Sequence, residues 1–159
     1  MNAPEAPPAP EAAAAAEGKH IVVGVDGSEN SREALAWALS HAELIGARVE
    51  CLFAWDFPLM WGADEDWFVP DDVWQPEEEG RRMLTDVLAE IAGTTPAVPV
   101  RAHTVRAGAV QSLLDAAEGA ELLVVGHRSH NTVTELLHRS VSARVARLAP
   151  CPVVVVNTR

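Results

Sequence analysis

Apolar positions along this chain alternate between short unbroken runs and stripes of helical period. Ile21 to Val25 form a continuous apolar run, the pattern of a strand buried on both faces of a parallel sheet. In "NSREALAWALSHAELIGA", Leu35, Ala38, Leu39, Ala42 and Ile45 recur at helical spacing. Asn30 is placed to cap that helix, Glu33 to answer it three residues on, and Gly46 to stop it. "VECLFAW" reads as a second strand, Val49 to Trp55. A helix over about Glu77 to Ala92 puts Met83, Leu84, Val87, Leu88 and Ile91 on one face. "VPVRAHTV" is a third strand, "AVQSLLDAAEG" a short helix ending at Gly119, and "ELLVVG" a fourth strand. The last helix covers roughly Thr134 to Leu148, with Leu137, Val141, Val145 and Leu148 as its stripe; Pro150 and Pro152 end it, and "VVVV" is a fifth strand.

Strands that alternate with helices require parallel crossovers, so the expected class is α/β, a doubly wound sheet with helices on both faces. Ligands of such sheets bind outside the carboxyl ends of the strands, where the winding reverses. This rule selects the segments after Val25, after Trp55 and after Gly126. The segment from Asp56 to about Pro76 has neither period; it mixes Trp61, Trp67, Phe68 and Trp74 with acids and prolines. An aperiodic stretch of this length in a small domain is either a cover for the sheet edge or a binding loop.

Composition narrows the function. The chain has 159 residues, 48% hydrophobic and 22% charged, enough for one domain with a real core. A formal net charge of −11 disfavours nucleic acid and anionic membrane as partners, since both are bound by neutralising phosphate. Residues 1–18, "MNAPEAPPAPEAAAAAEG", lack a basic leader and cannot bury enough apolar surface to fold, so a disordered tail is expected before a domain at 19–159. Cys51 and Cys151 stand in or beside strands with no CxxC, which fits two packed thiols in a reducing, cytoplasmic setting.

Candidate chemistry sits at two strand ends. In "VDGSENS", Gly27 allows a tight turn, and Asp26 either meets a ribose hydroxyl or only shapes that turn, with Ser28 or Asn30 capping the helix. Walker A, G-x-G-x-x-G and G-x-S-x-G patterns are all missing. His127, His130 and His138 lack the spacing of a zinc site. Between His127 and Arg147 the chain carries Arg128, Arg139, Arg144 and Arg147 against Glu135 alone, a local excess of positive charge suited to an anion or to a solvated helix face.

The opening "VVGVDGS", the "RSVSARV" of the last helix and the closing "APCPVVVV" resemble the universal stress protein family over about Lys19 to Asn157. The resemblance implies a single five-stranded sheet of order 3-2-1-4-5 and a homodimer paired through Val153 to Val156. It implies an adenine-nucleotide site for ATP, with any Mg²⁺ carried by the phosphates. Asp26 would hold ribose, Ala54 would contact adenine, and Gly126, Ser129, Arg139, Ser140 and Ser142 would line the phosphates, flanked by Val25, His127 and Val141. Members of this family that bind ATP carry Gly-x-x-Gly, nine residues, then Gly-Ser or Gly-Thr; here the positions read Gly126, Ser129, Arg139 and Ser140. A left-handed Ser129 would cost about 1–2 kcal/mol. Arg139 either blocks the approach of backbone N–H groups or grips phosphate with two parallel bonds. The alternative function is a nucleotide-free interaction module with Arg139 filling the phosphate site, a protein partner being met through loop 56–76. No set of residues amounts to a base plus a water-positioning group, so robust turnover is not expected.

Overall fold

The computed structural model describes residues 18–55, 75–127 and 141–158. The strands are β1 (His20–Gly24), β2 (Arg48–Trp55), β3 (Val100–Arg106), β4 (Leu122–Gly126) and β5 (Val153–Val156). The helices described are α1 (Glu29–Ile45), α2 (Pro76–Ile91), α3 (Ala109–Ala116) and α4 (Val141–Leu148). The strands form one parallel sheet in the order β3-β2-β1-β4-β5. The expected class and strand order are both observed. The anticipated disordered tail and most of the Trp-rich segment lie outside the described residues.

The unbroken apolar runs mark the strands covered on both faces. Ile21, Val22 and Val23 of β1, and Leu123 and Val124 of β4, have no solvent exposure. Ile21, Val23, Val49, Cys51 and Val124 pack under α1 and α2, while Val22, Leu52, Leu123 and Val125 pack under α3 and α4. Alternate side chains of one strand therefore enter opposite layers, as the pleat requires. Ala34, Ala38 and Ala42, spaced one turn apart and fully buried, bring α1 close to the sheet, with Leu35 and Leu39 filling the space beside them.

Residue choice also fixes the helix ends. Gly46 has φ 66 and sends its N–H back to Ala42 and Glu43. At the other end the structure decides between the two expected caps: Ser28, not Asn30, is the N-cap, its hydroxyl accepting the Ser31 N–H at 3.3 Å. Two residues of α1 therefore precede Ser31, and Asn30 is left for another task. In α2, Pro76 occupies the first turn with Glu77, Glu78 and Glu79, a pairing of fixed φ and negative charge that suits a helix start. Burial pushes the Cys51 thiol from 9.0 up to about 12 and raises that of Cys151 by desolvation against a lowering backbone contact at Leu123; both cysteines are free.

Candidate functional site

The chain builds β1, β2 and β3 outward in one direction, then returns to place β4 on the other side of β1. In open α/β sheets this reversal of winding, here between the carboxyl ends of β1 and β4, is where ligands bind.

On the β1 side, Val25 is buried and donates its N–H to Leu52 O at 2.9 Å, fixing the strand end against β2. Asp26 then reaches solvent. Its Oδ1 accepts the Ser28 N–H at 3.0 Å and the Ser28 hydroxyl at 2.5 Å, which closes an Asx turn. Gly27 sits in that turn at φ 80, and a Cβ there would lie 3.2 Å from Met83 Cγ of α2. Buried Ser31 completes the corner: its hydroxyl donates to Ser28 O at 2.9 Å and accepts the Asp26 N–H at 3.3 Å. Asp26 thus stands exposed at the carboxyl end of β1 with its backbone and carboxylate held.

On the β4 side, Gly126 passes so close to α1 that a Cβ would lie 2.6 Å from the Asn30 carbonyl carbon, 2.7 Å from its oxygen and 2.8 Å from Ser31 N. His127 donates its N–H to Val156 O at 2.7 Å. Its carbonyl accepts the Asn30 side-chain amide, and Asn30 Oδ1 in turn accepts the Thr158 N–H at 3.0 Å and the Thr158 hydroxyl. Sequence reasoning missed this bridge, because no local pattern links a residue to partners 97 and 128 positions away.

The remaining candidates divide. Ala54, half-buried, pairs with Val105 at the carboxyl end of β2. Beside it, the Arg106 guanidinium carbon lies 5.6 Å from the Trp55 ring centre. Trp55 also lines an open recess of about 380 Å³ with Gln75, Pro76, Glu77, Glu78 and Arg81 at the start of α2. Half-buried Val141 and buried Ser142 occupy the first described turn of α4. Ser129, Arg139 and Ser140 lie outside the described residues, as do His130 and His138. The structure therefore brings Val25, Asp26, Ala54, Gly126 and His127 to the carboxyl edge of the sheet. Among the described residues, no group of three or more His, Cys, Asp or Glu is gathered to hold a metal ion, and no helix is long and apolar enough to cross a membrane.

A model of the universal stress protein family matches residues 18–157. This chain belongs to that family. A universal stress protein of Mycolicibacterium smegmatis is 33% identical over 144 residues, covering 87% of this chain and 46% of the relative. One from Thermus aquaticus is 32% identical over 146 residues, covering 87% of this chain and 98% of the relative. The chain spans about half the length of several curated relatives it matches, the Mycolicibacterium smegmatis protein among them. Among solved structures, a universal stress protein in complex with cAMP has a TM-score of 0.69 at 24% identity, covering 89% of this chain and 98% of its own. Universal stress proteins with dAMP, from Archaeoglobus fulgidus, and with AMP, from Arabidopsis thaliana, have TM-scores of 0.61 and 0.58 at 21% and 16% identity. They cover 87% and 89% of this chain, and 97% and 92% of their own. At these identities the structural likeness establishes the fold, and the bound nucleotides belong to those proteins.

Proposed function

We propose that this universal stress protein is an adenine-nucleotide-binding regulatory or sensor module, with ATP as its leading ligand. The observation that carries this reading is the reversal of strand order at adjacent β1 and β4, with an exposed, preset Asp26 at the end of one and the exit of the other beside it. An Asx turn holds the Asp26 carboxylate in place, so accepting a ribose hydroxyl requires little further ordering. Adenine would lie by Ala54 at the end of β2. Phosphates would lie on the β4 side, met by Ser129, Arg139, Ser140 and Ser142 near the start of the last helix, where the helix dipole favours anions. Solved relatives of this fold that hold cAMP, dAMP and AMP support an adenylate as ligand class. Mg²⁺ would enter with the phosphates of ATP and be held chiefly by them.

Ligand that binds only the folded state stabilises it, by about 2.7 kcal/mol at 100 times Kd. A melting temperature that rises with ATP and Mg²⁺ and then saturates is the expected result; no movement at millimolar ATP would refute the assignment. A second reading rests on one fact of the sequence, that Ser129 and Arg139 stand where nucleotide-binding members carry glycine. In it, Arg139 fills the phosphate site and the protein acts as a nucleotide-free interaction module. Arg139→Gly separates the two. If the guanidinium clamps phosphate, ATP affinity falls by about tenfold or more, the scale of a charge-assisted hydrogen bond. If affinity appears or rises instead, the arginine is an obstruction.

We further propose a homodimer through β5, the sheet edge at which Val155 is 41% exposed. Unpaired N–H and C=O groups with apolar side chains invite a second strand. Val155→Asp should convert the dimer to monomer by light scattering, with its fold retained by circular dichroism. A wild-type protein that is already monomeric at tens of micromolar would exclude this interface.

A further inference from the structure

Asn30 belongs to α1, yet its side chain is spent entirely on the two strands beyond it. Its Nδ2 donates to the His127 carbonyl at the exit of β4, and its Oδ1 accepts both the N–H and the hydroxyl of Thr158 beyond β5. His127 is thereby held by both of its peptide groups, since its N–H already goes to Val156 O. Gly126, one residue earlier, lies against the backbone of Asn30 itself. Three chain segments from the first turn of α1, the exit of β4 and the exit of β5 are thus tied at one side chain, at the carboxyl edge of the sheet.

We propose that Asn30 and Thr158 are positioning residues for the nucleotide site, fixing His127 so that the chain leaves β4 in the direction that binding requires. The inference rests on the adenine-nucleotide reading above. Neither residue has to touch the ligand. Each acts through His127, and Thr158 acts through Asn30, because the hydrogen bonds to Oδ1 orient the amide that Nδ2 presents to the carbonyl. A consequence is that a residue beyond the last strand, without touching the ligand, contributes to its affinity.

The test uses the whole chain and AMP as probe. Asn30→Ala is expected to raise the Kd for AMP by tenfold or more, and Thr158→Val, which removes only the hydroxyl, by about threefold, within the range of single neutral hydrogen bonds. Ile91→Val, in the core at the far end of α2, serves as the comparison; it lowers the melting temperature with Kd unchanged within twofold. Hydrogen exchange at the His127 amide provides a readout that needs no ligand. It is expected to quicken at least tenfold in Asn30→Ala and in Thr158→Pro, while the Val25 amide, bonded to Leu52 O, keeps its wild-type protection. Variants that melt earlier yet bind AMP as the wild type does would reduce Asn30 to a structural tie and overturn the proposal. Unchanged exchange at His127 would overturn it as well. A wild-type chain that fails to bind AMP defeats the underlying reading and the proposal with it, and the exchange rates tell that failure apart from a failure of the tie.

Discussion

Replacing Gly126 with alanine is expected to remove about 3 kcal/mol or more of folding stability, the upper end of what overpacking a well-filled interior costs. The added methyl would lie within 2.6–2.8 Å of Asn30 C, Asn30 O and Ser31 N, all backbone atoms of the first turn of α1. No rotamer change relieves such a contact; either α1 or the end of β4 must move, and α1 is seated by fully buried Ala34, Leu35 and Ala38. Urea denaturation should show the loss directly, and thermal melting should fall by roughly 6–12 °C for a domain of this size. Melting within about 2 °C of wild type would show that α1 and the end of β4 part at little cost. The expected loss is independent of ligand. Gly126 is therefore required by packing whether or not a nucleotide binds, so its presence at the head of the motif does not by itself report nucleotide binding.

The second large effect is expected at Gly80, and there the sign is the test. Judged by helix propensity, alanine within α2 should stabilise by about 1 kcal/mol. The packing opposes this: a Cβ at Gly80 would lie 2.2 Å from Phe53 Cδ1, 2.4 Å from Cε1 and 3.2 Å from Thr104 Cγ2. The Phe53 ring, partly buried against the core beneath α2, would have to shift to admit the methyl. With Cβ contacts this short, overpacking at the upper end of its range, about 2–3 kcal/mol, outweighs the propensity gain, and Gly80→Ala should destabilise by about 1–2 kcal/mol net. The double-mutant cycle with Phe53→Ala isolates the cause, since contacting residues couple strongly. In the Phe53→Ala background, Gly80→Ala should become neutral or stabilising. Destabilisation of equal size in both backgrounds would place the cause outside the Phe53 contact.

Much of this fold is legible in the chain because buried strands and amphipathic helices repeat with different periods. The runs at Ile21–Val25 and 121–126, the stripe through Leu35, Ala38 and Leu39, and the stop at Gly46 all have the structure their patterns indicate. The cap of α1 was harder to assign. Ser28 and Asn30 are both good capping residues within one short stretch, and local propensity does not choose between them. The choice follows from Asn30 having partners at His127 and Thr158 that only the folded sheet supplies. Gly126 poses a similar problem. Its glycine is visible in the sequence, but the atoms that forbid a side chain there belong to a helix about a hundred residues earlier.

The site shows the same division. Asp26 and Gly27 were recognisable because a turn after a buried strand needs those residue types, and the Asx turn and φ of 80 have the expected form. That Val25, Ala54, Gly126 and His127 share one edge follows from strand order. The alternation of elements makes the sheet parallel, and the family resemblance supplied the sequence 3-2-1-4-5. Element type, the helix stop at Gly46 and the turn after β1 were thus determined by the sequence itself, since they depend on side chains a few positions apart. The tertiary structure decided which glycine is indispensable, which asparagine is a bridge and which serine is a cap. Those assignments depend on distances between segments far apart in the chain, and these are set only when the helices seat on the sheet.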